Sequence, residues 1–187
     1  MNLTFNIRNR IFSLMRRSFA VILLLTFLPA SHAQLESSRD EATLKALFIY
    51  TFTKHIEWPE ANNPNKQFVI TIFGNYNLTG KLMSMLKGRE MNGNKFVVVE
   101  AENVNAIQSS SIIFIASSKI ESIKEIRERF KSQSVLIITE EVKFPAGSNI
   151  NIVSRNDKLA FELNETDLKA QGLKVSHQLH DLAVKVY

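Results

Sequence analysis

Two histidines near the carboxyl end of the sequence have a spacing that could bind a metal ion. His177 and His180 lie three positions apart in SHQLHDLAVKVY, which has helical periodicity, so both imidazoles can face one side of a helix. Asp181 and Glu162 could add oxygen ligands if the fold brings them close. Two ligands without a third are more typical of a surface pair, so we predict no metal and no cofactor. A histidine-dependent metal hydrolase is kept as the least favoured hypothesis.

The sequence lacks the common local motifs of catalysis and phosphate binding. Its six glycines form neither GxGxxG nor GxxxxGK[ST], and no serine lies in GxSxG. Ser117-Ser118 follows a predicted strand, as a nucleophile could, but the pair also fits the N-cap of the next helix. Two groups of acidic residues are typical of solvated charge: Glu140 with Glu141, and Glu125 with Glu128 around Arg127. We predict that the protein is not an enzyme.

Residues 44–59, LKALFIYTFTKHIEWP, combine an apolar helical stripe with rings that carry polar tips. The stripe consists of Leu44, Leu47, Phe48, Phe52 and Ile56. Ile49, Tyr50 and Trp58 fall outside its centre and widen the apolar surface beyond one narrow face, and Pro59 is expected to end the helix. The second face either packs under a neighbouring element or borders a pocket or partner surface. The residues of that surface would be Tyr50, Lys54, His55 and Trp58.

Helical periods alternate with short β-branched runs along most of the chain. We predict helices over 38–57, 78–88 and 119–130, and strands over 68–74, 95–101, 112–116 and 135–139. Strands that are apolar on both sides of the pleat are typical of a parallel sheet covered on both faces. The fold class is therefore α/β, a single domain with a mainly parallel central sheet and helices on both faces.

The carboxyl end has a different pattern. NINIV and KLAFEL, at 149–153 and 158–163, alternate and flank a polar turn, which predicts a β-hairpin. Asn164 can cap a short helix that Gly172 ends, and Ser176 can cap a last helix running to the end of the sequence. The only loose segment expected is 59–67.

The amino end has the order of a secretory signal peptide. Four arginines precede the apolar run FAVILLLTFLPA, and small residues follow it, so we predict Sec export with cleavage after Ala33. Residues 34–187 would then form the mature periplasmic domain, with no membrane insertion after cleavage. All 18 acidic residues but only 19 of the 23 basic ones lie in that part, so its net charge is +1. No basic run marks a nucleic-acid site.

These segments, taken in order, resemble the YfiR/HmsC-like family of exported bacterial proteins. The resemblance begins with LKALFIYTFTKHIEWP and covers nearly all of the mature chain. It continues through FVITIFGN, NGNKFVVVEA, SSIIFIASS, VLIITE and SNINIVSRNDKLAFELNETDLKAQGLKVSHQLHDLA. The ordered combination of the tryptophan-proline segment, FELN and AQGLKVS is fairly specific. The sequence departs from well-studied members in having no cysteine, which leaves redox control without a basis, and in the loop EEVKFPAGSNI.

The resemblance implies a non-catalytic periplasmic regulator that represses an inner-membrane signalling enzyme by binding its periplasmic sensor region. The partner implied is a diguanylate cyclase, with a sensor kinase as the alternative, so the output would be cyclic di-GMP and biofilm formation. It also implies a homodimer and an outer-membrane lipoprotein that can sequester the repressor. The alternative function is a small-ligand sensor or carrier that binds an aromatic or nucleotide-like molecule.

Candidate binding residues come from two parts of the resemblance. The signature helix nominates Phe48, Tyr50, Lys54 and Trp58, and the carboxyl-terminal segment nominates Arg155, Glu162, His177 and His180. A small-ligand pocket would instead lie at the carboxyl ends of the strands, where open α/β sheets bind ligands. The residues expected there are Asn75, Tyr76, Ser117 and Thr139.

Overall fold

The computed structural model describes residues 31–59, 67–141, 143–156 and 158–187, with side chains from residue 41 onward. The chain divides into two units, residues 1–38 and 39–187, and the sheet strands all lie in the second. The predicted signal peptide, 1–33, lies outside the described residues except for its last three. Most of the predicted loose segment, 59–67, also lies outside them. Export and cleavage therefore stay predictions.

Helices and strands alternate along the described chain. The α-helices are α1 (Ser31–His55), α2 (Tyr76–Leu86), α3 (Ile123–Arg129), α4 (Glu165–Ala170) and α5 (His177–Leu182). The strands are β1 (Ile56–Glu57), β2 (Gln67–Phe73), β3 (Glu90–Met91), β4 (Asn94–Ala101), β5 (Ile112–Ile115), β6 (Leu136–Thr139), β7 (Ile150–Arg155), β8 (Lys158–Leu163), β9 (Lys174–Val175) and β10 (Lys185–Val186). Short 3-10 helices cover Val104–Ala106 and Ser117–Ser122.

Eight of these strands form one mixed sheet in the order β10-β8-β7-β6-β5-β2-β4-β3. All neighbouring pairs are parallel except β7 with β8, and β3 with β4. The predicted α/β class, the mainly parallel sheet and the carboxyl-terminal hairpin are therefore confirmed. A second, two-stranded sheet pairs β1 with β9.

The strands bury apolar side chains on both faces because helices cover both. Ile70 and Ile72 of β2 belong to the core that also contains residues of α1 and α2, whereas Phe73 belongs to the core formed with α3. The same alternation runs through β5, where Ile112 and Ile113 point to opposite cores. Burial on both faces explains why the strands are continuous apolar runs.

The first helix differs from its prediction in where it ends and in which face it buries. α1 ends at His55, before Pro59, because Ile56 and Glu57 pair with β9. Its described buried face consists of Ala42, Lys45, Ala46, Ile49, Phe52 and Thr53. Leu44 and Leu47, which the predicted stripe placed inside, are 45% and 47% exposed. When a helix has two apolar sides, the periodicity of its sequence alone does not show which side packs on the sheet.

Two further predictions about helix ends are wrong. Ser117 and Ser118 do not cap a helix: the 3-10 helix that begins at Ser117 has no side-chain cap, and the Ser117 hydroxyl donates to the carbonyl of Glu140 at 2.6 Å. The last helix, predicted to reach the end of the sequence, stops at Leu182, because Lys185 and Val186 return to the sheet and pair with β8.

The caps of the two carboxyl-terminal helices are as predicted. The side chain of Asn164 accepts from Asp167 N at 3.0 Å at the start of α4, and that of Ser176 accepts from Leu179 N at 3.2 Å at the start of α5. Gly172 follows α4 with φ of +76°, a backbone conformation that glycine adopts without strain. Among the described residues, no helix is both long and apolar enough to cross a bilayer.

Candidate functional site

A strip on α1, exposed except for the half-buried Thr51, faces away from the sheet. Leu44, Leu47, Thr51 and Lys54 recur at intervals of three and four positions, so they share one side of the helix. The opposite side is buried in the core, which fixes the orientation of the helix and leaves the two leucines in solvent. We call these four residues the outer strip. It presents apolar surface on a rigid element.

One flank of the outer strip carries an aromatic ring with two cations close to it. Arg89, which follows α2, donates from Nη1 to the Tyr50 hydroxyl at 2.9 Å, and its guanidinium lies 5.0 Å from the centre of the ring. The ammonium of Lys54 lies 5.2 Å from the same ring. Tyr50 is partly buried, so its position is set before any partner arrives. The predicted residues Tyr50 and Lys54 therefore both lie on this surface.

Phe48 and Trp58, also predicted as site residues, are engaged in packing. The ring of Phe48 meets Phe161 edge to face, with centroids 5.8 Å apart. Trp58 packs edge to face on Phe68 at 4.9 Å, and its indole N–H donates to the carbonyl of Ser111 at 3.2 Å. Both side chains are partly buried. Their contacts account for an aromatic residue at each position without a ligand or partner.

Two of the predicted carboxyl-terminal residues form an ion pair at the edge of the sheet. Arg155, at the end of β7, donates from Nη2 to Oε1 of Glu162 at 3.0 Å. Glu162 is only 3% exposed, whereas the side chain of Arg155 is mostly in solvent. The hydroxyl of Tyr187 approaches the second carboxylate oxygen at 3.5 Å. The hairpin thus contains a buried carboxylate whose cationic partner is exposed to solvent.

A cavity of about 540 Å³ opens over this ion pair. We call it the Tyr187 cleft. The Tyr187 ring packs on Phe144 with centroids 4.6 Å apart, and the ammonium of Lys185 lies 4.1 Å from its centre. Lys143 and Arg155 add two more cations to the lining. The volume lies within the usual range for small-ligand pockets, and the wall combines flat rings with positive charge.

A second cavity, of about 420 Å³, lies between α1 and the hairpin; we call it the Lys45 cleft. The ammonium of Lys45 donates to Glu140 and also lies 2.6 Å from the Glu41 carboxylate. Burial by itself would lower the pKa of Lys45, but the hydrogen bonds and charges of the two carboxylates outweigh it and raise that pKa. Glu141 Oε1 is buried there with no hydrogen-bond partner in the described chain. Arg155 lines both clefts.

The four residues predicted for a small-ligand pocket do not converge on one cavity. Ser117 lines the Lys45 cleft. Asn75 caps α2 by accepting from Leu78 N at 3.1 Å, and Tyr76 is 67% exposed. Thr139 is fully buried, with its hydroxyl donating to Asn151 Oδ1 at 2.8 Å. Of the four, only Ser117 therefore lines either cleft, beside Glu140 and Glu141, which follow β6.

The histidine pair lies on α5, apart from Glu162. The Nδ1 atoms of His177 and His180 are 3.7 and 3.4 Å from Asp181 Oδ1, so the three side chains form one cluster. The other ring nitrogen of His180 is 3.8 Å from a carboxylate oxygen of Glu165, on α4. Asp181 is thus the oxygen neighbour that the sequence suggested, whereas Glu162 belongs to the Tyr187 cleft.

Three features of these sites could not be named from the sequence. Lys45 and Glu140 are 95 positions apart, so nothing local links them. The sequence predicts Tyr187 at the end of a helix, whereas it follows β10 and lines the Tyr187 cleft. Arg89 follows a predicted helix and belongs to no recognisable motif. The fold brings it to Tyr50, which lies 39 positions earlier in the sequence.

The fold is an α/β domain built on a mixed sheet that helices cover on both faces. The model of the YfiR/HmsC-like family matches residues 42–184, which is most of the chain, so the protein belongs to that family. No curated protein matches the chain in sequence.

Proposed function

We propose that the protein is a periplasmic regulator that binds and represses the sensor region of an inner-membrane signalling enzyme, a diguanylate cyclase. Family membership supports a regulatory role without catalysis. The amino-terminal pattern of charge, apolar run and small residues supports export to the periplasm. A sensor kinase is the alternative partner, and recovery of one or the other decides the signalling output.

The exposed outer strip is the observation that carries this proposal. Leu44 and Leu47 keep almost half of their surface in solvent although the same helix has a complete buried face. Covering the exposed half of each leucine would contribute about 1 kcal/mol. Tyr50 and Arg89 beside them are residue types that protein interfaces enrich. The strip is therefore suited to a partner with a shallow apolar surface and an acidic rim facing Lys54 and Arg89.

The test is a binding titration between the purified protein and the periplasmic region of the signalling enzyme encoded beside it. Leu44→Glu and Leu47→Glu place charge in the apolar centre, so each should weaken binding at least about tenfold. Leu182→Glu, an exposed leucine of α5, is the matched control and should bind normally. Far-UV circular dichroism checks folding. Normal binding by both folded α1 variants would remove the strip from the interface.

Pull-down from solubilised inner membrane tests the partner class itself. The tagged protein should retain a cyclase or kinase that has a periplasmic domain, identified by mass spectrometry. A folded bait that retains neither enzyme counts against repression by contact. The proposal also includes a homodimer, for which light scattering should give twice the chain mass, and sequestration by an outer-membrane lipoprotein, which should compete with the cyclase for binding.

A small-ligand sensor is the second candidate function, and the Tyr187 cleft favours it. The Phe144 and Tyr187 rings can cover a flat molecule, while Lys143, Lys185 and Arg155 can pair with an acidic group on it. Aromatic acids and nucleotides combine these properties. Such a ligand should raise Tm in wild type and not in Tyr187→Ala. No shift with any member of either class would contradict the assignment.

A further inference from the structure

Among the described residues, one cluster of nitrogen and oxygen donors lies outside both clefts and the outer strip. It consists of His177, His180 and Asp181 on α5, whose candidate donor atoms all lie within 4.8 Å of one another. All three side chains reach solvent. Two imidazoles and one carboxylate are a ligand set that zinc uses in proteins, with the fourth position left to water or another ligand.

The distances within the cluster fit one metal ion. In a tetrahedral zinc site with bonds of about 2.1 Å, neighbouring donor atoms are about 3.4 Å apart. Asp181 Oδ1 lies 3.4 Å from His180 Nδ1 and 3.7 Å from His177 Nδ1. All three candidate donor atoms lie within 4.8 Å of one another, so side-chain rotation can bring them around a common centre.

A carboxylate on a different helix lies close to one of the two histidines. Glu165 Oε2 is 3.8 Å from Nε2 of His180, on the side of the ring opposite Asp181. The other carboxylate oxygen of Glu165 lies 2.8 Å from the ammonium of Lys169 on the same helix. A carboxylate that accepts a hydrogen bond from Nε2–H fixes the tautomer in which Nδ1 is free as a ligand, the arrangement common behind metal-bound histidines. Glu165 would thus be a positioning residue and not a ligand.

The helices that carry these groups are anchored on their inner sides. Ser176 caps α5, and its hydroxyl is also 3.0 Å from Nδ1 of His55. Leu168 of α4 and Leu179 of α5 are fully buried in the main core. A six-residue helix fixed at its start and at its middle holds i, i+3 and i+4 side chains in a constant relation. The backbone positions that carry the three donors are thus fixed, while their exposed side chains can rotate.

From this geometry we propose that His177, His180 and Asp181 form a binding site for one divalent transition-metal ion of the zinc class. Glu165 orients His180 in the site. The fourth position is open, so a water molecule, or a histidine or carboxylate of another protein, can complete the coordination. The site is independent of the proposed partner surface on α1, and its test does not depend on that surface.

The experiment is an isothermal titration of the untagged protein with Zn²⁺ alone. Wild type should bind one ion, and at a concentration of 100 times Kd the ion should raise Tm by about 5–10 °C. His177→Ala and Asp181→Asn should each weaken binding at least about tenfold. Glu165→Gln should weaken it by about tenfold, while loss of the exposed pair with Lys169 should lower the Tm of the metal-free protein by no more than about 2 °C.

Glu128→Gln on α3 makes the same change of charge on an exposed carboxylate away from the cluster, and it should bind Zn²⁺ as wild type does. Equal losses in this control and in Asp181→Asn would mean nonspecific attraction of a cation and would overturn the site. Absence of saturable binding by wild type would overturn it as well, and so would normal binding by folded His177→Ala.

Discussion

Removal of the Lys45 ammonium should destabilise the domain far more than loss of a surface charge. Lys45 joins α1 to the segment after β6, and the side chains of Lys45 and Glu140 are 11% and 15% exposed. In Lys45→Met the Glu140 carboxylate stays nearly buried and keeps only the backbone N–H of Ser117, at 3.3 Å, from its described donors.

The expected loss follows from the burial of the pair. Breaking a fully buried ion pair costs roughly 3–5 kcal/mol, and the residual exposure and remaining N–H place this pair near the lower end, at about 3 kcal/mol. Glu41 is half exposed and contributes about 0.5 kcal/mol of that. The loss corresponds to a fall in Tm of about 6–12 °C for a domain of this size.

Urea denaturation followed by the fluorescence of Trp58, the single tryptophan, measures the loss. Lys81→Met, an exposed lysine of α2, is the matched control and should cost less than about 0.5 kcal/mol. Adding Glu140→Gln to Lys45→Met should restore most of the stability, because no unpaired charge remains. A loss below about 1 kcal/mol, or a double variant no more stable than Lys45→Met, would refute the reasoning.

The contribution of Lys45 should also depend on pH. Its pKa in the folded state is raised above the ordinary value of 10.5. The stabilisation is therefore complete below that value and is lost as the pH rises through the folded-state pKa. The difference in unfolding free energy between wild type and Lys45→Met should be constant from pH 7 to 9 and shrink above about pH 10.5. A difference that grows at high pH would contradict this sign.

Three further changes test the packing around the sites. Trp58→Phe removes the hydrogen bond to the Ser111 carbonyl and should lower the free energy of unfolding by about 1 kcal/mol, measured by urea denaturation followed by circular dichroism. Its affinity for the partner should be unchanged, and weaker binding would show that Trp58 belongs to the interface. Gly74→Ala places a side chain at φ of +95° and should cost about 1–3 kcal/mol by thermal melting, so a neutral result would refute the strain. Arg155→Met leaves the buried Glu162 carboxylate without its cation and should cost about 1–3 kcal/mol in urea, whereas unchanged stability would show that the pair contributes nothing.

The central strands were predictable because local composition and burial agree there. Ile112–Ile115 and Leu136–Thr139 are continuous β-branched or apolar runs, and both faces of each are buried, so no choice of face was needed. The caps at Asn164 and Ser176 were predictable because a cap involves only neighbouring residues.

Predictions failed where distant parts of the chain decide the local structure. α1 ends at His55 because β9 pairs with the next two residues, and β10 replaces the end of the last helix because β8 leaves an edge to pair with. The outer strip shows the same limit, since Leu44 and Leu47 fit the apolar period as well as Ile49 does. Of the predicted binding residues, Arg155 and Glu162 do meet, but Trp58 is occupied by contacts that the sequence could not show.

The pairing of β1 with β9 has a consequence for the order in which the domain can fold. His55 and Ser176, at the neighbouring ends of α1 and β9, lie 121 positions apart, and the main ion pair of α1 also reaches far along the chain. A chain that emerges amino end first, from a ribosome or an export channel, presents α1 long before its partners arrive. Closure of such distant contacts is slow, and the waiting segment has two apolar sides. α1 is thus made long before β9 and cannot complete its contacts until late in synthesis, so its apolar sides can bind a chaperone in the meantime.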